Sequence, residues 1–217
     1  MIVPNQRPIS RKKKISLNLH HRWMPGHTAQ ISRFESRAEF YFAALLEADR
    51  EVKRYVPQPF DLRLDPPIGK RKSYRPDFYV QRTDNSEHVY EVTTAEKAQG
   101  RPVQQATATL KKLGMTYALV LTDSIYARSI EAENWLLICQ YVSLFHDDPS
   151  TEQTVDLIRS QFLSWKTLSI DDLSAQFRHI PRAAFIGAFC VLAHCHRLEF
   201  PDIKIEPLNA RMKARIL

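Results

Sequence analysis

Asp77 and Glu91 are the residues of this sequence whose types and spacing point most directly to chemistry. Asp77 sits in Tyr74-Arg75-Pro76-Asp77-Phe78, and Glu91 follows fourteen positions later in Val89-Tyr90-Glu91-Val92. Both stretches read as β-strands, and an inward carboxylate on a strand costs free energy unless it is paired or holds a metal. The spacing suffices for a hairpin whose ends lie side by side, so the two carboxylates can share one hard divalent cation. Mg²⁺ is the expected ion, with Mn²⁺ as a substitute, because it takes oxygen ligands and keeps several waters. Glu39, on the helix expected before these strands, can approach the same ion as a third acid. A cation held this way polarises a phosphate and activates water for phosphodiester cleavage. Spacing alone leaves a second reading equally open, in which the same residues are ordinary surface carboxylates at strand ends.

These acids need a helix and a hairpin to bring them together, and the hydrophobic pattern supplies candidates for both. Positions 1–31 carry Pro4, Pro8, Pro25 and Gly26 and are expected to form an irregular arm. Phe40, Tyr41, Phe42, Ala44, Leu45 and Leu46 predict an amphipathic helix over 32–48. Val52, Tyr55 and Val56 then lead into Pro57-Gln58-Pro59, which stops any helix. Phe60, Leu62 and Leu64 alternate with Asp61, Arg63 and Asp65 as in a half-buried strand, and Pro66-Pro67-Ile68-Gly69 is the expected turn. Strands over 74–81 and 88–93, separated by Arg82-Thr83-Asp84-Asn85-Ser86, complete an antiparallel meander.

A helix over 103–113 capped by Gly114, an apolar strand over 117–121 and a helix over 127–145 follow. His146-Asp147-Asp148-Pro149-Ser150 is the expected boundary between a domain over 32–146 and one over 150–217. In the latter, helices over 151–165, 169–177 and 181–194 precede short apolar pieces at 198–200 and 203–205, the outline of a winged helix. The expected architecture is α/β, a mixed sheet flanked by helices followed by a helical winged-helix domain.

The chain has 217 residues, 44% of them hydrophobic, enough to bury one substantial core or two small ones. No apolar run of membrane-spanning length and no secretory stretch is read, so the cytoplasm is the expected compartment and no membrane partner is expected. Lys and Arg total 31 against 24 Asp and Glu, a net charge of +7. Positions 1–34 hold Arg7, Arg11, Lys12, Lys13, Lys14, Arg22 and Arg33 and no acid, which accounts for the whole excess. A cationic arm on a neutral body suits a phosphate backbone, so Arg11, Lys12, Lys13, Lys14 and Arg22 are candidate DNA contacts. A solvated, solubilising tail is the alternative. Cys139, Cys190 and Cys195 lack the spacing of a four-ligand zinc site, although His194 and His196 flank Cys195; a buried helix face is the simpler account. Trp23, Trp135 and Trp165 stand far apart and read as anchors of separate local cores.

Pro76-Asp77 followed by Glu91-Val92 resembles the PD-(D/E)xK nuclease motif of restriction-endonuclease-like cores. The surrounding text resembles in particular the TnsA family, the endonuclease subunit of heteromeric cut-and-paste transposases. Phe34-Glu35-Ser36-Arg37-Ala38-Glu39 is similar to that family's acid-Ser-x-x-Glu helix, 52–59 to its "V, aromatic, QP" segment, and 74–78 to its "Y-x-P-D-F" strand. Leu113-Gly114-Met115, Leu121-Thr122-Asp123 and Ala132-Glu133-Asn134-Trp135-Leu136 resemble the turn, strand and Asn-containing helix that follow in it. The ordered series spans most of 32–210. It implies that Glu39, Asp77 and Glu91 are catalytic and metal-binding acids, with Glu35 the weaker candidate for the helix position and Gln58 in a structural role. It further implies DNA at transposon ends as substrate, an integrase-like transposase subunit and an AAA-type ATPase regulator as partners, and the nucleoid as location when bound.

The chain departs from the motif two residues after Glu91, where a lysine is expected to orient the attacking water and stabilise developing charge; Thr93 stands there. Lys97, and after it Lys111 or Lys112, are the candidates to supply the missing cation. Three functions follow. The chain is a metal-dependent endonuclease of transposon ends, a catalytically weakened or inactive subunit that keeps DNA and partner binding, or a phage or defence nuclease or winged-helix regulator unrelated to transposition.

Overall fold

The computed structural model of this protein describes residues 15–19, 30–68, 71–99, 103–162 and 164–217. Strands β1 (Ile15–Leu19) and β2 (Gln30–Phe34) pair with each other, so part of the expected irregular arm is extended ladder. Helix α1 (Arg37–Ala48) starts five positions later than the hydrophobic pattern suggests, because Ser36 is its N-cap and its hydroxyl accepts the Glu39 N–H at 3.2 Å. The segment before Pro57-Gln58-Pro59 is strand β3 (Val52–Pro57), an element the hydrophobic pattern left unassigned.

The expected three-strand meander is built differently. β4 (Leu62–Ile68) runs through Pro66-Pro67 and pairs with β5 (Arg71–Tyr74) in a hairpin of its own. Its register slips between Arg63 and Ile68, where the two prolines fall, so the ladder needs no N–H from them. Pro76 cannot donate to a ladder, and the expected single strand over 74–81 is broken there into β5 and β6 (Phe78–Arg82). β6 pairs antiparallel with both β3 and β7 (Glu87–Thr93).

After β7 come a one-turn helix α2 (Ala95–Ala98) and α3 (Val103–Lys112). Gly114, at φ +77°, closes α3: its N–H bonds the Lys111 carbonyl and the Met115 N–H bonds that of Leu110. That turn feeds β8 (Thr116–Leu121), which lies parallel to β7, and then the short helix α4 (Thr122–Tyr126).

The result is a mixed four-stranded sheet in the order β3-β6-β7-β8. Successive side chains alternate between its faces. On one face Phe42 of α1 meets Phe78 and Tyr90 edge-on, and Phe34 stacks over Phe78. On the other, Tyr79, Val89 and Tyr117 pack with Leu62, Leu64 and Tyr74 of the β4–β5 hairpin and Ala106 and Leu110 of α3. Each large apolar side chain buried in this way contributes about 1.5–3 kcal/mol.

The chain divides into two units, the first mainly Ser32–Ala127 and the second mainly Arg128–Leu217. The expected helix over 127–145 is present as one element that starts two residues later. Arg128 has non-helical backbone, φ −109° and ψ 26°, and α5 (Ser129–Phe145) begins after it in the second unit. The segment His146-Asp147-Asp148-Pro149-Ser150 is the turn from α5 into α6 (Pro149–Phe162). α7 (Ile170–Gln176) and α8 (Arg182–His194) follow, and α5, α6 and α7 all pack on α8.

At Gly187 of α8 the helices approach so closely that a Cβ would stand 2.7 Å from Phe145 Cβ and 2.8 Å from Thr151 Oγ1. β9 (Leu198–Glu199) pairs with β10 (Arg215–Ile216) rather than with the expected piece at 203–205, which forms turns. Asn134 of α5 ties that turn down: its amide donates to the carbonyls of Ile203 and Glu206 and its oxygen accepts the Leu208 N–H, each at 2.7 Å. Trp135 is buried, whereas Trp165 is 55% exposed and anchors no core; Trp23 lies outside the described residues. Among the described residues, no helix is long and apolar enough to cross a membrane.

Candidate functional site

The β6–β7 hairpin does what the spacing of its acids requires. Phe78 pairs with Tyr90 and Gln81 with Glu87, a register that, continued by one residue, sets Asp77 opposite Glu91. Asp77 lies just before the ladder begins. Its N–H donates to the Tyr90 carbonyl at 3.1 Å, and its Oδ2 accepts the Val92 N–H at 2.8 Å, so the half-buried aspartate is fastened across the strand that carries Glu91.

Glu91 is 2% exposed. Alternation puts it with Val89 and Thr93 on the face covered by the β4–β5 hairpin and α3. The Tyr74 hydroxyl donates to Glu91 Oε2, and the Tyr74 and Tyr117 hydroxyls stand 3.0 Å apart. A carboxylate taken so far out of water depends on such donors. Thr93, at the position of the motif lysine, is 3% exposed, and its hydroxyl is buried without a hydrogen-bond partner among the described residues. A buried donor left unmade costs about 1–3 kcal/mol.

Glu39 belongs to the first turn of α1, whose Phe42 packs on the opposite face of the sheet from Glu91. Its carboxylate is already engaged, with Oε1 accepting from the Ser36 hydroxyl at 2.8 Å and Oε2 from the Glu35 N–H at 2.9 Å. Burial pushes the Glu39 carboxyl above its ordinary value, and these two bonds offset part of that shift.

Lys97 is exposed on α2, one turn after Thr93, with its backbone N–H on the Thr94 cap. Lys111 and Lys112 are exposed at the end of α3, which leads into Thr116; that residue pairs with His88, at the far end of β7 from Thr93. Lys97 is thus the only one of the three attached to the correct end of the strand. The proposed DNA contacts Arg11, Lys12, Lys13, Lys14 and Arg22 lie outside the described residues.

Three carboxylates form the donor set that a hard dication takes, oxygen only. The hairpin brings Asp77 and Glu91 together, while Glu39 remains with its helix cap. Among the described residues no three His, Cys, Asp or Glu side chains gather closely enough to hold a metal ion. That holds also for the C-terminal cysteines and histidines: Cys190 is buried, which pushes its thiol up to about 12, and Cys195 is exposed.

The hydrophobic pattern gave no notice of three residues that shape this site. Tyr74 meets Glu91, and Tyr117 of β8 meets Tyr74, only because the β4–β5 hairpin folds over the sheet. Gln58, 5% exposed, has φ +50° and donates its backbone N–H to the Asp77 carbonyl at 2.7 Å and its Nε2 to Asp77 Oδ1 at 3.4 Å. A positive φ is usually signalled by Gly or Asn, and here it falls on glutamine.

No protein-family model matches the chain, and no curated protein sequence matches it either. The resemblance to the TnsA family therefore rests on the ordered motifs.

Proposed function

We propose that this chain is a TnsA-like DNA endonuclease subunit of a heteromeric transposase, cutting transposon ends by metal-dependent phosphodiester hydrolysis. The observation that carries the reading is the register of β6 on β7. It opposes Asp77 and Glu91 at one end of a mixed sheet, with Thr93 on the same face as Glu91 and helices on both sides. This is the layout expected of a restriction-endonuclease-like core, and α6, α7, α8 and the β9–β10 pair support reading the second unit as winged-helix-like.

Asp77 and Glu91 would hold Mg²⁺ or Mn²⁺ from adjacent strands, with Glu39 as the third acid. Bound there, the ion supplies charge neutralisation at a phosphate and a more acidic water. Lys97 is the cation to replace the motif lysine. The basic arm holds the DNA backbone, and an integrase-like transposase and an AAA-type ATPase are the partners this reading requires.

The test is cleavage of transposon-end DNA by the purified protein with those partners and Mg²⁺ or Mn²⁺. Metal-dependent cutting by the wild type, lost in Asp77→Ala while DNA or partner binding persists, supports the reading. Normal cleavage by Asp77→Ala rejects the site. A second reading, a subunit that binds without cutting, is favoured by Thr93 and by the Tyr74 hydroxyl bound to Glu91. It predicts no cutting by the wild type and gain of cutting in Thr93→Lys.

A further inference from the structure

We propose that Gln58 is a positioning residue for Asp77, holding that carboxylate in the orientation in which it faces its ligand. Gln58 directly follows β3, and Asp77 precedes β6, the ladder partner of β3. The contact is doubled: the backbone N–H of Gln58 reaches the Asp77 carbonyl at 2.7 Å and its amide nitrogen reaches Oδ1 at 3.4 Å. From the other side the Val92 N–H reaches Oδ2 at 2.8 Å. Each carboxylate oxygen thus receives an N–H donor, one from the residue after β3 and one from β7. A carboxylate has about four lone-pair sites, so two N–H donors fix the group without themselves filling it.

The backbone of Gln58 supplies the second argument. Its φ of +50° lies in the left-handed region, where glycine is at ease and a side chain is strained. Strain of this kind persists only where the surroundings enforce it, and it concentrates at functional sites. Glycine would relieve the backbone but could not donate to Oδ1. The side chain of Gln58 is therefore present for its amide. Its burial, at 5% exposed, excludes a role in solvent.

The test uses the full chain and two variants. Gln58→Gly removes the amide and relaxes the backbone; Gln58→Glu keeps the volume and turns the donor into an acceptor beside a like charge. The first measurement is amide hydrogen exchange. In both variants the Val92 N–H should exchange about tenfold faster relative to other amides of the β6–β7 ladder, because its acceptor is no longer clamped. Equal protection of Val92 in wild type and variants overturns the proposal, as does a uniform loss across the ladder.

The second measurement is Mn²⁺ binding followed by paramagnetic broadening, and this half rests on the nuclease reading above. Loss of a group that orients a ligand lowers metal affinity about 10–100-fold, and that is the expected change in both variants. Selective loosening of Val92 in a protein whose wild type binds no Mn²⁺ upholds the positioning role and removes the nuclease reading. Wild-type Mn²⁺ affinity retained in both variants overturns the proposal while leaving that reading intact.

Discussion

Helices α1 and α7 open on the same local arrangement, a serine N-cap with an acid three residues on, yet the two acids are shifted in opposite directions. At α7, Asp172 accepts both the N–H and the hydroxyl of Ser169 at 2.7 Å, and Lys213 donates to it at 2.6 Å. The Lys213 ammonium beside it holds this carboxyl below its ordinary value. At α1, Glu39 takes the Ser36 hydroxyl and reaches one residue further back to the Glu35 N–H, and burial pushes its carboxyl up. The Asp172 side chain is 42% exposed, whereas residue Glu39 is 8% exposed. A helix start fixes where an acid stands; its solvent and charged neighbours decide what it can do.

The contrast is sharpest in activity. Under the proposed function, Glu39→Gln lowers metal-dependent DNA cleavage by about two to three orders of magnitude, the usual scale for removing one group that stabilises developing charge. Asp172→Asn leaves it within about twofold, as expected of an exposed cap on a helix remote in sequence from the acids. Rates measured on the same DNA substrate decide this, and equal losses in both variants would make Glu39 a cap and nothing more.

In stability the same pair differs less. Ser169→Ala removes a cap and costs about 1 kcal/mol. Ser36→Ala costs more, because a buried carboxylate loses a donor as well, a further penalty of about 1–3 kcal/mol. Urea denaturation of both variants tests the order, and a larger loss in Ser169→Ala reverses the comparison.

The smallest effect is in pH. The folded state binds the Asp172 proton more weakly than the unfolded chain does. Its contribution is present above the unfolded value and is lost as pH falls through the depressed folded one. For Glu39 the sign is opposite: the folded state binds the proton more tightly, so its contribution is full below the unfolded value and is lost as pH rises through the folded one. Plots of Tm against pH for Asp172→Asn and Glu39→Gln, each compared with wild type, should therefore diverge in opposite directions. Parallel plots would show that burial does not govern Glu39.

Much of this was legible in residue order. A strand pattern beyond a polar turn found β7, a compact apolar run found β8, the Gly114 stop set the end of α3, and the spacing of Asp77 and Glu91 anticipated their opposition across a hairpin. What failed depended on partners distant in sequence. β3 is a strand because β6 lies beside it, and the run through Pro66-Pro67 survives because a register slip spares their nitrogens. The hydrogen bonds that hold Glu39 to its own helix cap were likewise out of reach, since no periodicity says on which face of a sheet a helix packs. Tyr74 on Glu91 was hidden for a similar reason, since its hairpin belongs to a different sheet from the acid it covers.

The close approach at Gly187 also bears on the protein's history. A methyl group at that position would collide with the Cβ of Phe145, an atom that no rotamer change can move aside. Any lineage in which residue 187 became larger must first have accepted a backbone adjustment, or glycine at 145 together with a residue lacking the hydroxyl at 151. The order in which those substitutions are tolerated is thus written into the spacing of three helices.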